Sequence, residues 1–416
     1  MSGAKVGHLC KMNSWYIAQR LMNYEKGSFV RFILRLAYIS TALSVAVMII
    51  AVAVITGFNN EIKDKIFGFW GHIQVNSIHS NQLNLSYPLE FDSTFSKTLD
   101  TIPGIRHHQV FAFMPAVVTS DNEMDGLILK GVGNDFDWTF FKKFLLRGSI
   151  DHFSDSIQRK IILSNNLASR LRLDINDKCR LNFVIDQQVI TRNFTVSGIY
   201  STGLEEYDQK LALADLNIIR ELAGWTPEQI GGYEIFARNI NDVDQIADNI
   251  YENHLGSEQF VETIRQKFPS IFDWLNLQST NQYVIQILML IVAVINLITV
   301  LLILILERTR MIGTLKALGM KNGPLKKIFL FHGFQILVRG LIIGNVLGII
   351  LCLIQKYGKV IKLNEADYYL SVAPVHLNLI PILLINIGTI LTTVLILWIP
   401  SGLVSKISPL KAIGYR

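Results

Sequence analysis

Residues Glu307–Lys327 read ERTRMIGTLKALGMKNGPLKK. The stretch holds six basic residues and one acid, interleaved with Met311, Ile312, Leu315 and Leu318. Before it, Leu275–Leu306 runs 32 residues without a charge; after it, Ile328 begins another apolar run. The four apolar positions fall on one side of a short helix. A connector between two membrane spans needs no such patterning, so the apolar side asks for a protein surface. Gly319 and Gly323-Pro324 are expected to end the helix and turn the chain back.

Outward from this stretch the chain is organised by its uncharged runs. Half of its 416 residues are apolar, more than an average soluble protein carries together with long charge-free stretches. Runs of eighteen or more apolar residues read as transmembrane helices. Leu36–Asn60, Leu275–Leu306 and Leu377–Ser405 qualify. Ile328–Gln355 is interrupted only by His332 and Arg339. Four spans are therefore expected, at 36–60, 275–306, 328–355 and 377–403. The first 35 residues carry six basic groups and no cleavable apolar core, unlike a secretory signal. Residues 13–31 read as an interfacial helix, and Met12 is a candidate start.

The formal charge of +6 is unevenly placed. Residues 58–274 hold 20 Lys+Arg and 29 Asp+Glu, net −9, and the remainder 19 and 4, net +15. The positives stand beside the spans, as the positive-inside rule expects, rather than forming a nucleic-acid surface. An even number of spans puts the N-terminus (1–35), the 307–327 loop and the tail (404–416) together in the cytoplasm. Residues 61–274 then form a large outer domain, and 356–376 a short outer loop. The three cysteines, Cys10, Cys179 and Cys352, fall in three different compartments, which excludes a disulfide scaffold.

The first span is expected to continue outward as a helix, because Phe58, Ile62, Ile66 and Phe69 share one helical face. Beyond it, strand-like runs (72–77, 109–120, 126–132, 179–185, 189–200) alternate with helix-like ones (164–173, 213–222, 243–255). That order fits an α+β domain. The chain carries no phosphate-cradling G-x-x-x-x-G-K-[ST] loop, no H-E-x-x-H and no paired C-x-x-C. His107-His108 is read as strand residues with rings pointing apart, not as a metal site. No metal, cofactor or catalytic group is expected on this chain.

Within the spans, Gly340, Gly344 and Gly348 form a ridge that lets another helix approach closely. Asn296, Asn345 and Asn386 put one amide in each of the last three spans, where hydrogen bonding between helices is the simplest role. Arg339 has two readings. It is a mid-bilayer guanidinium facing a partner or wet cavity, or it snorkels from a tilted helix. A phospholipid phosphate is one anion that would answer it.

ERTRMIGTLKALGM resembles the signature of the FtsX-like permeases of ABC transporters. So do ITGFNNEIKDKIFGFWGHIQV after the first span, IILSNNLASRLRLDINDK and GIYSTGLEEYDQKLALADL in the outer domain, IFDWLNLQ before the second span and ISPLKAI near the end. The order is that of the lipoprotein-releasing LolC/LolE branch. The resemblance implies an α-helical membrane protein with four transmembrane helices and a large periplasmic α+β domain, the type VII ABC permease. In that architecture porter-like segments (61–130 and 232–274) flank an inserted sabre-like subdomain (131–231).

It also implies a second permease chain, the same or homologous, and a cytoplasmic ATPase dimer that binds ATP and Mg. Glu307, Arg308, Arg310, Met311, Ile312, Leu315, Lys316, Leu318 and Gly319 would then form the coupling helix on which the ATPase pushes. The implied activity is mechanotransmission that lifts a lipoprotein from the inner membrane of a Gram-negative-type cell and hands it to a periplasmic carrier. Val54, Phe58, Ile62, Tyr283, Ile287 and Met289 are the expected contacts for its acyl chains.

Two positions depart from the pattern. Met311 stands where relatives often carry an acid. Only Asp186-Gln187-Gln188 separates CRLNFVI from VITRNFTVSGIY, too short for the long hook of LolC, which makes the chain more LolE-like, or a member of a system that recruits its carrier otherwise, or one with a different substrate. Alternatives are a MacB-like efflux permease, whose ATPase would lie on the same chain, or an FtsX-type regulator of cell-envelope enzymes, whose outer domain is usually smaller.

Overall fold

Long helices account for one of two compact units, residues 1–58, 275–361 and 373–416; the other comprises 59–274 and 362–372. The computed structural model describes residues 28–407 except 81–84, 121–122, 151–158, 186, 365–367 and 369. Most of the expected interfacial helix, Met12, Cys10 and the last nine residues lie outside the described residues.

Four helices are long and apolar enough to cross a membrane. They are α1 (Ser28–Trp70), α2 (Pro269–Glu307), α4 (Asn322–Gly358) and α5 (Leu379–Ser401), with the short α3 (Thr309–Ala317) between α2 and α4. α1 is one unbroken helix of 43 residues, as the Phe58–Phe69 periodicity predicts. α4 begins at Asn322, so Gly323-Pro324 opens this helix instead of forming a separate turn. Proline is tolerated there because a first-turn N–H has no intrahelical partner.

In the helical unit, Gly340, Gly344 and Gly348 are buried against α1. A Cβ at Gly344 would lie 2.6 Å from Ala42 O and 2.8 Å from Val45 Cβ; one at Gly340 would lie 2.7 Å from Thr41 Cβ. Leu297, Leu301, Leu304, Leu325, Phe329, Leu337 and Leu397 build the shared core. α4 and α5 are further joined by Asn345 and Asn386. Each side-chain amide donates to the other's oxygen, at 2.7 and 2.9 Å. The same amides also donate to Leu341 O and Ile382 O, one turn back. Asn296 reaches only weakly, 3.5 Å from Ala37 O. Arg339 remains exposed, its Nη1 3.4 Å from Tyr38 Oη.

The globular unit is built on a ten-stranded mixed sheet. In chain order the strands are β1 (Ile73–Ser77), β2 (Leu89–Glu90), β3 (Ile105–Ser120), β4 (Glu123–Val132), β5 (Leu145–Gly148) and β6 (Lys160–Ser164). They continue as β7 (Lys178–Ile185), β8 (Gln188–Tyr200), β9 (Leu211–Asp215), β10 (Gln229–Ile230), β11 (Gly232–Ala237) and β12 (Gln259–Thr263). β2 and β10 pair apart from the sheet. Six strands close on themselves, because β3 pairs β4, β4 pairs β9, β9 pairs β6, β6 pairs β8, β8 pairs β7 and β7 returns to β3. Closure removes open edges. Leu129, Leu163, Leu181, Phe183, Val196 and Ala212 are buried in the core that this ring shares with the rest of the sheet. Outside the ring, β12-β1-β11 joins it along the first half of β3, and β5 pairs with β8. No break in pairing separates 131–231 from its flanks, since β9 lies directly on β4.

Candidate functional site

Three places gather the residues on which function could rest. The first is α3 and its flanks. Arg308 precedes the helix, and Leu318 ends it. Gly319, at φ +91, takes the left-handed conformation. Its N–H donates to Lys316 O at 2.9 Å, and that of Met320 to Leu315 O at 3.0 Å, the paired bonds that close a helix at a glycine. The Lys316 ammonium donates to Ser405 O and Ile407 O at 3.1 and 2.8 Å, tying α3 to the chain after α5.

The apolar side of α3 is divided, which corrects the expectation that all of it seeks an outside surface. Ile312 is 0% exposed and belongs to the core of the helical unit. Met311 and Leu315 are half-buried against that same core. Leu318, at the close of α3, is 78% exposed, and Glu307 and Arg310, at its start, are exposed as well. At about 100° per residue, positions 312 and 318 stand roughly 120° apart, at the two edges of the apolar stripe, so one flat surface does not take both.

The second set is the expected acyl contacts. Tyr283 and Ile287 are exposed on α2, and Val54, Phe58 and Met289 are half-buried. Ile62 differs from expectation: it is wholly buried, so its side chain offers no surface to a ligand. Gly57 is locked by Pro374, whose carbonyl oxygen would stand 2.7 Å from an added Cβ. The neighbouring His376 N–H donates to Ala53 O at 2.9 Å.

The third place was not anticipated from sequence. Inside the globular unit, the Lys130 ammonium on β4 lies 2.7 and 3.0 Å from the two Glu234 carboxylate oxygens on β11. It also donates to Phe69 O at 2.5 Å, one of the last carbonyls of α1, where the helix dipole favours a cation. The amides of Gln74 and Gln109 donate to the same carboxylate at 3.1 and 2.8 Å. Lys267, just ahead of α2, donates to Gln74 Oε1 at 2.5 Å and sits 4.7 Å from the Trp70 ring centroid. Phe69, Phe111 and Phe136 surround Lys130 with rings 5.4–5.9 Å away. Burial pushes the Lys130 ammonium below the usual lysine range, and pushes Lys267 down to about 8. The network fastens the C-terminal end of α1 and the lead-in to α2 to the same sheet. The signal for it was present: Lys130 and Glu234 are each a lone charge inside an apolar run, GLILKGV and GGYEIFA.

His107 and His108 do not diverge as expected; their ring centroids lie 6.4 Å apart, the planes inclined at 28°. His108 is held by Ser96 Oγ at 2.8 Å. Among the described residues no cluster of His, Cys, Asp and Glu has the geometry to hold a metal.

Residues 36–274 match the family described as the MacB-like periplasmic core domain, and 283–409 the FtsX-like permease C-terminal family. The chain belongs to the FtsX-like permeases, with a MacB-like periplasmic core. It is similar to the lipoprotein-releasing system transmembrane protein LolE of Haemophilus influenzae, at 25% identity over 94% of this chain and 96% of that protein. LolC of the same organism is 24% identical over 97% of this chain and 99% of its own length. Among solved structures, the periplasmic region of MacB from Actinobacillus actinomycetemcomitans aligns with a TM-score of 0.33 at 10% identity, covering 48% of this chain and 91% of that one.

Proposed function

We propose that this FtsX-like permease is the membrane subunit of an ABC transporter that releases lipoproteins from the inner membrane toward a periplasmic carrier. The observation that carries the reading is the match to LolE and LolC across nearly the full length, spans and outer domain together. ATP and Mg are assigned to a separate cytoplasmic ATPase dimer, which engages the exposed residues at both ends of α3, Glu307 and Arg310 at its start and Leu318 at its close. Both termini are assigned to the cytoplasm, because the basic segments gather there. A second permease chain, the same or homologous, covers part of the exposed apolar surface of the spans. Acyl chains meet Tyr283 and Ile287 on α2, and Val54 and Phe58 on α1.

Mechanotransmission as the mode of action is supported by α1, a single helix from Ser28 to Trp70 with no proline or break. Its end is held by a charged, fully buried network. Displacing such a helix at one end moves its other end. The β7–β8 turn pairs Ile185 directly with Gln188, leaving no room for a hook, which supports the LolE-like assignment of the subunit.

The test is depletion of the protein in its native cell, followed by fractionation. Lipoproteins retained in the inner membrane support the proposal. Normal lipoprotein sorting with increased drug sensitivity would instead favour a MacB-like efflux permease. Leu318→Asp should abolish capture of the ATPase while leaving membrane insertion intact; retained capture removes α3 as the coupling element.

A further inference from the structure

The globular unit contains a cleft distinct from the coupling and acyl-contact residues. It is a cleft of about 600 Å³ whose lining includes Lys63, Arg106, Lys143 and Arg238. Against these four cations stand two carboxylates, Asp64 and Asp137. Only Arg106 is paired, at 3.5 Å from Asp137. Among the described residues no carboxylate forms an ion pair with Lys63, Lys143 or Arg238.

The surrounding sequence is acidic, net −9 over 58–274, so this concentration of unpaired positive charge runs against its domain. A cleft lined by one sign of charge focuses the field and raises the local concentration of opposite ions. His72 adds a neutral donor. Its Nδ1 accepts the Ala237 N–H at 3.1 Å, which leaves the proton on Nε2. Its ring is held 4.4 Å from that of Phe67 and 6.0 Å from that of Phe236. The cleft therefore offers three unpaired cations and an oriented N–H beside aromatic walls. A tetrahedral oxyanion with several acceptor oxygens satisfies that set, whereas a single carboxylate would leave donors unused.

We propose that this cleft binds a phosphate group, carried by a phospholipid headgroup or present as free phosphate. Both sources share the chemistry.

The test uses the full chain purified in mild detergent, compared with the variant Lys143→Glu/Arg238→Glu. Both positions are exposed, so the reversal leaves the core untouched. Native mass spectrometry reads retained phosphatidylglycerol and phosphatidylcholine, and phosphorus NMR titration reads inorganic phosphate. Lipid retained by the wild type and reduced at least about tenfold in the variant supports the headgroup source. A phosphate titration weakened by that factor, with no lipid retained, supports free phosphate. Equal behaviour of the two proteins towards both probes overturns the proposal.

Discussion

Lys130 Nζ lies 2.7 Å from Glu234 Oε1, and both side chains are closed off from solvent. The two residues are 104 positions apart in the chain, and the pair stands where α1 ends. A buried pair is weak evidence for stability as a pair, because desolvation offsets much of the attraction. Removing one partner is different, since it leaves the other charge buried and alone.

Glu234→Gln should therefore destabilise the globular unit by about 3–5 kcal/mol, read as a lowered midpoint in denaturant followed by tryptophan fluorescence. Trp70 lies in the affected region, its ring 5.8 Å from Lys130 Nζ. Lys130→Met combined with Glu234→Leu should recover much of that loss, because an apolar pair carries no unpaired charge. A single variant as stable as the wild type would mean that the network does not hold the end of α1.

Acidification provides an independent test at His72. Burial, and secondarily the Arg106 guanidinium, push its pKa down to about 4 from 6.5. Between those values the unfolded chain binds a proton that the folded chain refuses. The stabilisation is thus complete above about pH 6.5 and is lost as pH falls toward 4. The ceiling is about 3 kcal/mol, reduced by the partial solvent contact of the ring. His72→Asn keeps an acceptor for the Ala237 N–H and does not titrate. Denaturation at pH 7 and pH 5 should show a larger loss for the wild type than for the variant. Equal losses would place the acid sensitivity elsewhere.

The four spans and the α3 helix were legible in the sequence, because lipid permits few solutions: long uncharged runs must be helices, and Gly319 is a strong helix stop. The direction of the α3 stripe was not legible. Ile312 and Leu318 look equivalent by composition, and only the packing of α2, α4 and α5 decides which of them faces inward. In the outer domain, the long alternating strands β3, β7 and β8 could be read. β6, β9 and β11 are almost wholly buried, so they lack alternation and cannot be told from buried helix by periodicity. LALAD at 211–215 accordingly reads as lying partly within a helix starting at 213, where the structure has a strand. The ring of six strands depends on β7 returning to β3, a long-range pairing with no local signal. The acyl contacts fared similarly: Ile62 shares a helical face with Phe58, but the globular unit encloses it.

Asn345 and Asn386 form a closed amide pair between α4 and α5, with every amide hydrogen directed at an oxygen. Replacing either one with Leu leaves the other's acceptor and one donor without a partner in an apolar setting. Each single change should cost about 1–2 kcal/mol, while the double change should cost less than their sum. A double-mutant cycle on detergent-resistant thermal stability measures the coupling. Additive losses would show that the two amides act separately.

Close approach of α1 and α4 makes the sharpest contrast between two glycines. At Gly344 an added Cβ meets backbone, Ala42 O at 2.6 Å, and the branched Val45 at 2.8 Å. Neither can rotate away, so Gly344→Ala must separate the helices. Overpacking of this kind costs about 1–3 kcal/mol. At Gly388 on α5 an added Cβ meets nothing within 4 Å. Gly388→Ala should be neutral or should stabilise α5, by up to about 1 kcal/mol from helix propensity. Thermal unfolding of both variants in detergent separates the effects. If Gly344→Ala unfolds with the wild type, α1 and α4 have slack at this crossing, and the glycine ridge is not what sets their distance.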